Sequence, residues 1–284
     1  MSTPPGSLTL LLKVSRWRFW LYLAGTYLIG FTIGVRDLNL SLSGWFWLHF
    51  AYFTLPANLL LYGVNDLFDT DTDAANPKKT VREHLLASAE RPFLVRAVSI
   101  AFLLTAALAA FQKTSEDRWM LALFVALSVF YSAPPVRFKA RPFLDSLSNV
   151  LYAVPGFLGF QHASGQAVPW QAVAVACLWT SAMHLFSAIP DIGADRKAGL
   201  NTTATVMGHR ASLVLCAVLW LVFAAIVMSL VAFRPYGAVL LVYPAIALAL
   251  LFKADTMTGR VYWFFPLVNA LVGMGAFFVV AFSK

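Results

Sequence analysis

Apolar residues in this chain run together in long stretches, and polar and charged ones gather in short segments between them. Nine apolar runs stand out, at about 17–35, 44–64, 93–111, 119–135, 145–163, 169–190, 211–233, 236–252 and 261–282. A helix of roughly 20 apolar residues crosses the ~30 Å hydrocarbon core and satisfies its own backbone there. The pattern therefore predicts an all-α fold, a polytopic membrane helix bundle of about nine transmembrane helices. Glycine and proline interrupt several runs, which neighbouring helices in a bundle accommodate. No linker or low-complexity tract divides the sequence, so 1–284 reads as a single domain. It is expected to hold two halves, about 17–135 and 145–252, plus a ninth helix at 261–282.

Composition strengthens that reading. Hydrophobic residues make up 60% of the chain and charged ones only 12%, with a mean hydropathy of +0.73. A soluble domain carries about a quarter of its residues charged. Placing the N-terminus in the cytoplasm puts 16 of the 21 Lys and Arg residues on the cytoplasmic side and 5 outside. That is the asymmetry that orients membrane proteins. The net charge of +8 then reflects topology and attraction to anionic lipid. Nucleic acid is excluded as a partner, because no soluble domain exists to carry a basic face. The first run is long enough to remain as a span rather than be cleaved as a signal. Cys177 and Cys216 fall inside apolar runs and read as small fillers. The expected location is a bacterial or archaeal cell membrane, with the N-terminus and the polar loops 65–92 and 191–210 cytoplasmic.

The chemistry lies in those two loops. Asn65-Asp66-Leu67-Phe68-Asp69-Thr70-Asp71-Thr72-Asp73 places four carboxylates within eight residues at the end of an apolar run. Such a cluster is strongly self-repelling unless a cation neutralises it. Asn65, Asp69 and Asp73 recur at i, i+4 and share one helical face. Hard oxygen donors so arranged suit Mg²⁺, which keeps several waters and bridges to substrate phosphates. A calcium loop fits less well, because the positions of its required Gly and bidentate Glu hold Ala74 and Thr80. The second cluster, Asp191-Ile192-Gly193-Ala194-Asp195, repeats the i, i+4 spacing at the end of the sixth run. Two such clusters on one membrane face read as two sides of a single metal–diphosphate cage.

Tyr131-Ser132-Ala133-Pro134-Pro135-Val136-Arg137-Phe138-Lys139-Ala140-Arg141 ends the fourth run at its prolines and then sets cations on alternate positions. Arg137 and Lys139, with Lys78 from the first loop, are candidate contacts for phosphate oxygens. Ordinary positive-inside anchoring explains the same charges. Asn58, Asn149, His184, Ser187 and Asn269 are polar within runs, where hydrogen bonding between helices is the default role. His184 precedes Asp191 by seven residues, which puts it on nearly the same helix face, about 10 Å deeper. His184, Tyr131 and Asn149 are the candidates for an acceptor pocket. Asp145, with Ser148 and Asn149, is placed to orient the basic loop.

These motifs together resemble the UbiA superfamily of intramembrane prenyltransferases, along essentially the whole chain. The resemblance implies a helix bundle whose central cavity opens near the cytoplasmic face. It assigns metal binding to Asn65, Asp66, Asp69 and Asp73 and to Asp191 and Asp195. Asp69, Asp73, Asp191 and Asp195 are then the catalytic carboxylates, and Asn65, Lys78, Arg137 and Lys139 the diphosphate-binding residues. The implied cofactor is Mg²⁺, as a pair of ions bridging the diphosphate, and the partners are a prenyl diphosphate (dimethylallyl or longer), a lipophilic acceptor and the lipid bilayer. Three stretches are similar to the lycopene elongase branch, which extends carotenoids by C5 units. They are Tyr62-Gly63-Val64-Asn65-Asp66 running on to Asn76-Pro77-Lys78-Lys79, the segment Tyr131 to Asn149, and His184-Leu185-Phe186-Ser187-Ala188-Ile189-Pro190-Asp191. The tail Thr202-Thr203-Ala204-Thr205 fits as well. Two other readings remain open at this level. One is a related enzyme acting on an aromatic acid, a quinone precursor or a glycerol phosphate lipid. The other is a divalent-cation transporter, although its carboxylates should sit near the bilayer midplane rather than at span ends.

Overall fold

The computed structural model describes residues 6–35, 43–70, 84–230, 234–253 and 255–282. Helices account for the secondary structure of these residues, with no strand among them, so the all-α expectation holds. Among the described residues, four stretches of helix are long and apolar enough to cross a membrane: Arg91–Ala110, Trp170–Lys197, His209–Leu230 and Phe265–Phe282. The chain forms two compact units.

The first unit comprises Met1–Arg137, Leu151–Ala167 and Ala276–Lys284. Among the described residues its α-helices include α1 (Ser7–Val14), α2 (Thr26–Gly34), α3 (Gly44–Phe68), α4 (Arg91–Ala110), α5 (Ser115–Ser132) and α6 (Val154–Ser164). Ser43 starts α3 by accepting the Phe46 N–H on its hydroxyl at 3.3 Å, satisfying one of the orphan donors of the first turn. The buried face of α3 then recurs at helical spacing through Phe46, Phe53, Ala57, Leu60 and Val64. Pro56 lies within this helix, and the Asn58 amide covers the carbonyls of Phe53 and Thr54 beside it. Asn58 is thus used within its own helix rather than between helices.

Helices α2 and α6 approach so closely that no side chain fits between them. A Cβ on Gly30 would collide with the Gly156 carbonyl, and one on Gly159 with the Tyr27 carbonyl. Small residues at such crossings let backbones meet in lipid, where apolar burial alone gives helices no reason to associate.

A polar chain ties the far end of α3 to its neighbours. The Gln112 amide donates to His49 Nε2 at 2.8 Å, so His49 Nδ1 carries the hydrogen that bonds the Trp45 carbonyl at 2.9 Å. His162 Nε2 donates to Gln112 Oε1 at 3.1 Å, which leaves its Nδ1 to accept from the Tyr27 hydroxyl at 3.2 Å. Every ring nitrogen is satisfied with both imidazoles neutral. The Asp117 carboxylate stands 3.8 Å from His162 Nε2.

The second unit comprises Phe138–Val150 and Val168–Gly275. It holds α7 (Trp170–Ala188), α8 (Ile192–Lys197), α9 (His209–Leu230), α10 (Val242–Leu250), α11 (Asp255–Tyr262) and the start of α12 (Phe265–Phe282). Its core is aromatic: Phe186, Trp220, Tyr243 and Phe265 are all buried, with the Phe186 and Phe265 ring centroids 4.7 Å apart. Tyr243 also donates to Asn269 at 2.9 Å, the hydrogen bond between helices expected for that residue.

Several runs are not single helices. The run 145–163 contains a helical turn at Leu144–Leu147, a 3₁₀ stretch at Ser148–Tyr152 and then α6. Ser148 and Asn149 bond the Asp145 carbonyl through their side chains and so compete with the helical ladder. Pro155 cannot donate, and α6 restarts with it in the first turn. In the run 236–252, a 3₁₀ segment Pro235–Leu241 precedes α10. The run 17–35 opens with a turn at Trp17–Phe19 and a π-helical turn at Leu21–Gly25 before α2.

Candidate active site

The first acidic motif is set by the C-terminal end of α3. The helix ends at Phe68, and Asp69 caps it in a non-helical conformation with its N–H still bonded to the Asn65 carbonyl at 3.0 Å. Asn65 is half-buried and Asp69 is only 3% exposed. Ser132, the last residue of α5, presents its hydroxyl to both, at 3.2 Å from Asn65 Oδ1 and 2.9 Å from Asp69 Oδ2. The spacing i, i+4 does place these two oxygens together, as the sequence predicts. Asp66, also 3% exposed, pairs with Arg16 at 3.3 Å. The Arg16 guanidinium in turn lies over the Tyr62 ring, 4.4 Å from its centroid. Asp73 and Lys78 lie outside the described residues, as do Lys79 and Arg82.

The second acidic motif is shaped by Pro190. Proline cannot continue the hydrogen-bond ladder of α7, and the chain passes through a 3₁₀ turn, Ile189–Asp191, into α8. Asp191 sits in that turn and Asp195 one turn later, both half-buried. Gly199, at φ +69, closes α8, and Leu200 N–H reaches back to the Asp195 carbonyl at 2.9 Å. His184 lies half-buried on α7, with its carbonyl accepting the Ser187 hydroxyl at 2.7 Å.

Of the basic residues, Arg137 ends the first segment of the first unit in the left-handed conformation, at φ +46, with its N–H bonded to the Ala133 carbonyl at 3.1 Å. Lys139 lies in the second unit, in the middle of the short 3₁₀ turn Phe138–Ala140, and is buried. Tyr131 is half-buried in the last turn of α5. Asn149 is buried and donates to the Asp145 carbonyl at 2.7 Å.

Sequence reasoning missed two participants. Arg16 reads as a topology charge, and nothing local announces its pairing with Asp66, fifty residues on. Ser132 stands within the quoted Tyr131–Arg141 segment, but its partners are 63 and 67 residues away.

Asn65, Asp66 and Asp69 offer only carboxylate and amide oxygens, the hard donors that Mg²⁺ takes, with no thiolate among them. Their arrangement by Ser132 and Arg16 keeps oxygens at one helix end, so the residues present fit the ion. Among the described residues no three His, Cys, Asp or Glu side chains converge on one point. The first motif, however, continues through Asp71 and Asp73, which lie outside them.

Comparison with known proteins gives a consistent picture. The model of the UbiA prenyltransferase family matches residues 19–270. A lycopene elongase/hydratase of Halobacterium salinarum is 45% identical over 264 residues, covering 93% of this chain and 94% of that protein. Another from Corynebacterium glutamicum is 33% identical over 230 residues, covering 78% of this chain and 77% of its own. In fold, the chain is similar to a UbiA homolog from Archaeoglobus fulgidus solved with DMAPP and Mg²⁺, with a TM-score of 0.72 at 21% identity. That match covers 95% of this chain and 98% of the other.

Proposed function

The chain belongs to the UbiA prenyltransferase family, and from that premise we propose that it transfers an allylic prenyl group from its diphosphate to lycopene or a related acyclic carotenoid. The observation that carries the acceptor is the 45% identity to a lycopene elongase/hydratase over nearly the full length of both chains. The donor follows from the acidic motifs, whose oxygen-only donor sets suit a metal-bound diphosphate.

The residues divide the work as follows. Asn65, Asp66, Asp69 and Asp73 and, from the second motif, Asp191 and Asp195 hold Mg²⁺, as a pair of ions. When bound, Mg²⁺ neutralises charge on the diphosphate and makes it a better leaving group. Ser132 fixes the direction of the Asn65 and Asp69 oxygens, and Arg16 holds Asp66 in register. Arg137, Lys139 and Lys78 bind phosphate oxygens, Arg as a fork and Lys as a point charge. The bond between the prenyl C1 and the diphosphate oxygen breaks, and diphosphate keeps the electron pair. A terminal alkene of the acceptor supplies the electrons for the new C–C bond, leaving a tertiary cation on the acceptor. That cation loses a proton, or takes up water and then releases a proton; the relatives' name, elongase/hydratase, couples chain extension with hydration. Apolar helix walls exclude bulk water from the allylic cation, which would otherwise be quenched. His184, Tyr131 and Asn149 line the acceptor side. The protein sits in a cell membrane with its N-terminus and both acidic loops on the cytoplasmic side, as the lysine and arginine distribution favours.

Membranes containing the protein, given labelled dimethylallyl diphosphate with lycopene and with 4-hydroxybenzoate in parallel, test the acceptor. Label is expected in the carotenoid fraction. Label in the aromatic acid alone would reassign the acceptor to a quinone precursor.

A further inference from the structure

Asp145 has no place in the scheme above, yet it is completely buried in the second unit. Its carboxylate is fully used. Oδ2 accepts the Thr203 N–H at 2.8 Å, and Oδ1 accepts the Thr203 hydroxyl and the Ser146 N–H, the latter at 2.8 Å. The Thr203 hydroxyl oxygen also accepts from the Phe143 N–H at 2.6 Å. Phe143 is held at φ +66 and ψ −39, a conformation that a residue with a side chain rarely adopts. Strain of that kind persists only where surrounding contacts over-determine the backbone.

The other side of Thr203 leads to the second acidic motif. Thr202 and Thr205 form a reciprocal capping box. The Thr205 hydroxyl hydrogen is shared between the Thr202 and Leu200 carbonyls, at 2.9 and 3.1 Å, and Arg196 donates to the Thr205 carbonyl at 2.8 Å. Leu200 N–H in turn holds the Asp195 carbonyl. Hydrogen bonds, joined along the chain between Thr203 and its neighbour Thr202, therefore run from the segment of Lys139 and Phe143, through Asp145 and Thr203, to the helix that carries Asp195.

We infer that Asp145 and Thr203 are a positioning pair, which fixes the second acidic motif and the Lys139 segment relative to each other so that both meet one metal-bound diphosphate. This rests on the proposed function. Neither residue touches substrate; they act through Asp195 and Lys139. Partners that orient metal ligands from behind typically cost 10–100-fold in metal affinity when removed. Thr203→Val keeps the shape and deletes the hydroxyl, whereas Thr203→Ser restores it.

The test is Mn²⁺ binding to purified full-length protein in nanodiscs with dimethylallyl diphosphate, followed by electron paramagnetic resonance, beside steady-state kinetics and thermal melting. Wild type is expected to bind and Asp191→Asn to lose binding; an absence of binding by wild type overturns the functional reading itself. Given wild-type binding, Thr203→Val should weaken Mn²⁺ roughly tenfold and raise KM for the diphosphate in step. Its kcat should fall far less, and Thr203→Ser should behave as wild type. Thr203→Val that melts earlier but binds Mn²⁺ as wild type does would show a merely structural clamp and overturn the inference. Should Thr203→Val fail to fold, Asp145→Asn serves instead: it leaves one acceptor oxygen for the two Thr203 hydrogens, and wild-type Mn²⁺ affinity there would equally overturn it.

Discussion

Ser132 offers one hydroxyl hydrogen to two oxygens, on Asn65 and Asp69, and so decides which way the donors of the first motif face. A hydrogen bond to a charged group is worth about 1.5–3 kcal/mol. Ser132→Ala should accordingly raise the Mg²⁺ concentration needed for half-maximal activity by roughly tenfold or more, read by titrating the ion at saturating diphosphate. Arg16 poses the complementary case. Arg16→Leu removes the guanidinium that stands 3.3 Å from the Asp66 carboxylate, itself 3% exposed. Breaking a buried pair from one side costs about 3–5 kcal/mol, and a thermal melt in detergent should show a clear loss of stability. The acidic residues themselves were legible in the sequence because charge is conspicuous in an apolar chain, and the i, i+4 spacing survives into the structure for Asn65 and Asp69. Ser132, Arg16 and Thr203 were not, because each acts on residues at least fifty positions away. A hydroxyl or a basic residue near a span end has too many ordinary explanations to stand out.

Helices in lipid associate through close approach and hydrogen bonding, and this chain uses one device for each of two junctions. Gly30 and Gly159 let α2 and α6 touch backbone to backbone. Gly30→Leu or Gly159→Leu forces them apart and should cost about 1–3 kcal/mol, the range for overpacking, lowering the melting temperature and the yield of inserted protein. The Tyr27–His162–Gln112–His49 chain joins four segments through a single glutamine. Gln112→Leu strands both imidazoles, at about 1–3 kcal/mol for each buried group left unmet, while Gln112→Glu keeps an acceptor for His162 and should be milder. Boundaries were partly legible at this scale. Apolar runs located the long helices, since Arg91–Ala110, Trp170–Ala188 and His209–Leu230 fall where hydropathy put them. The run 145–163 misled because averaging hydropathy cannot see Ser148, Asn149 and Pro155 breaking the ladder. The glycine crossing also escaped notice, because its meaning depends on which helix lies opposite.

At the level of the whole chain, each unit carries one acidic motif at the end of a long helix: Asn65 to Asp69 in the first, Asp191 to Asp195 in the second. Reporter fusions test the orientation that the lysines and arginines favour. A fusion after Phe68 should report the cytoplasm, and one after Lys113 the opposite side. In the proposed function both motifs serve one transfer of a prenyl group to a carotenoid. Expression in a bacterium that accumulates lycopene, with pigments analysed by mass spectrometry, tests it most directly. C45 and C50 carotenoids should accumulate with the wild-type chain. Asp69→Asn and Asp191→Asn should each abolish them while the protein remains in the membrane at wild-type level. Unchanged lycopene from well-expressed wild type would contradict the carotenoid acceptor, and C50 product from either variant at the wild-type level would contradict the role given to the acidic motifs.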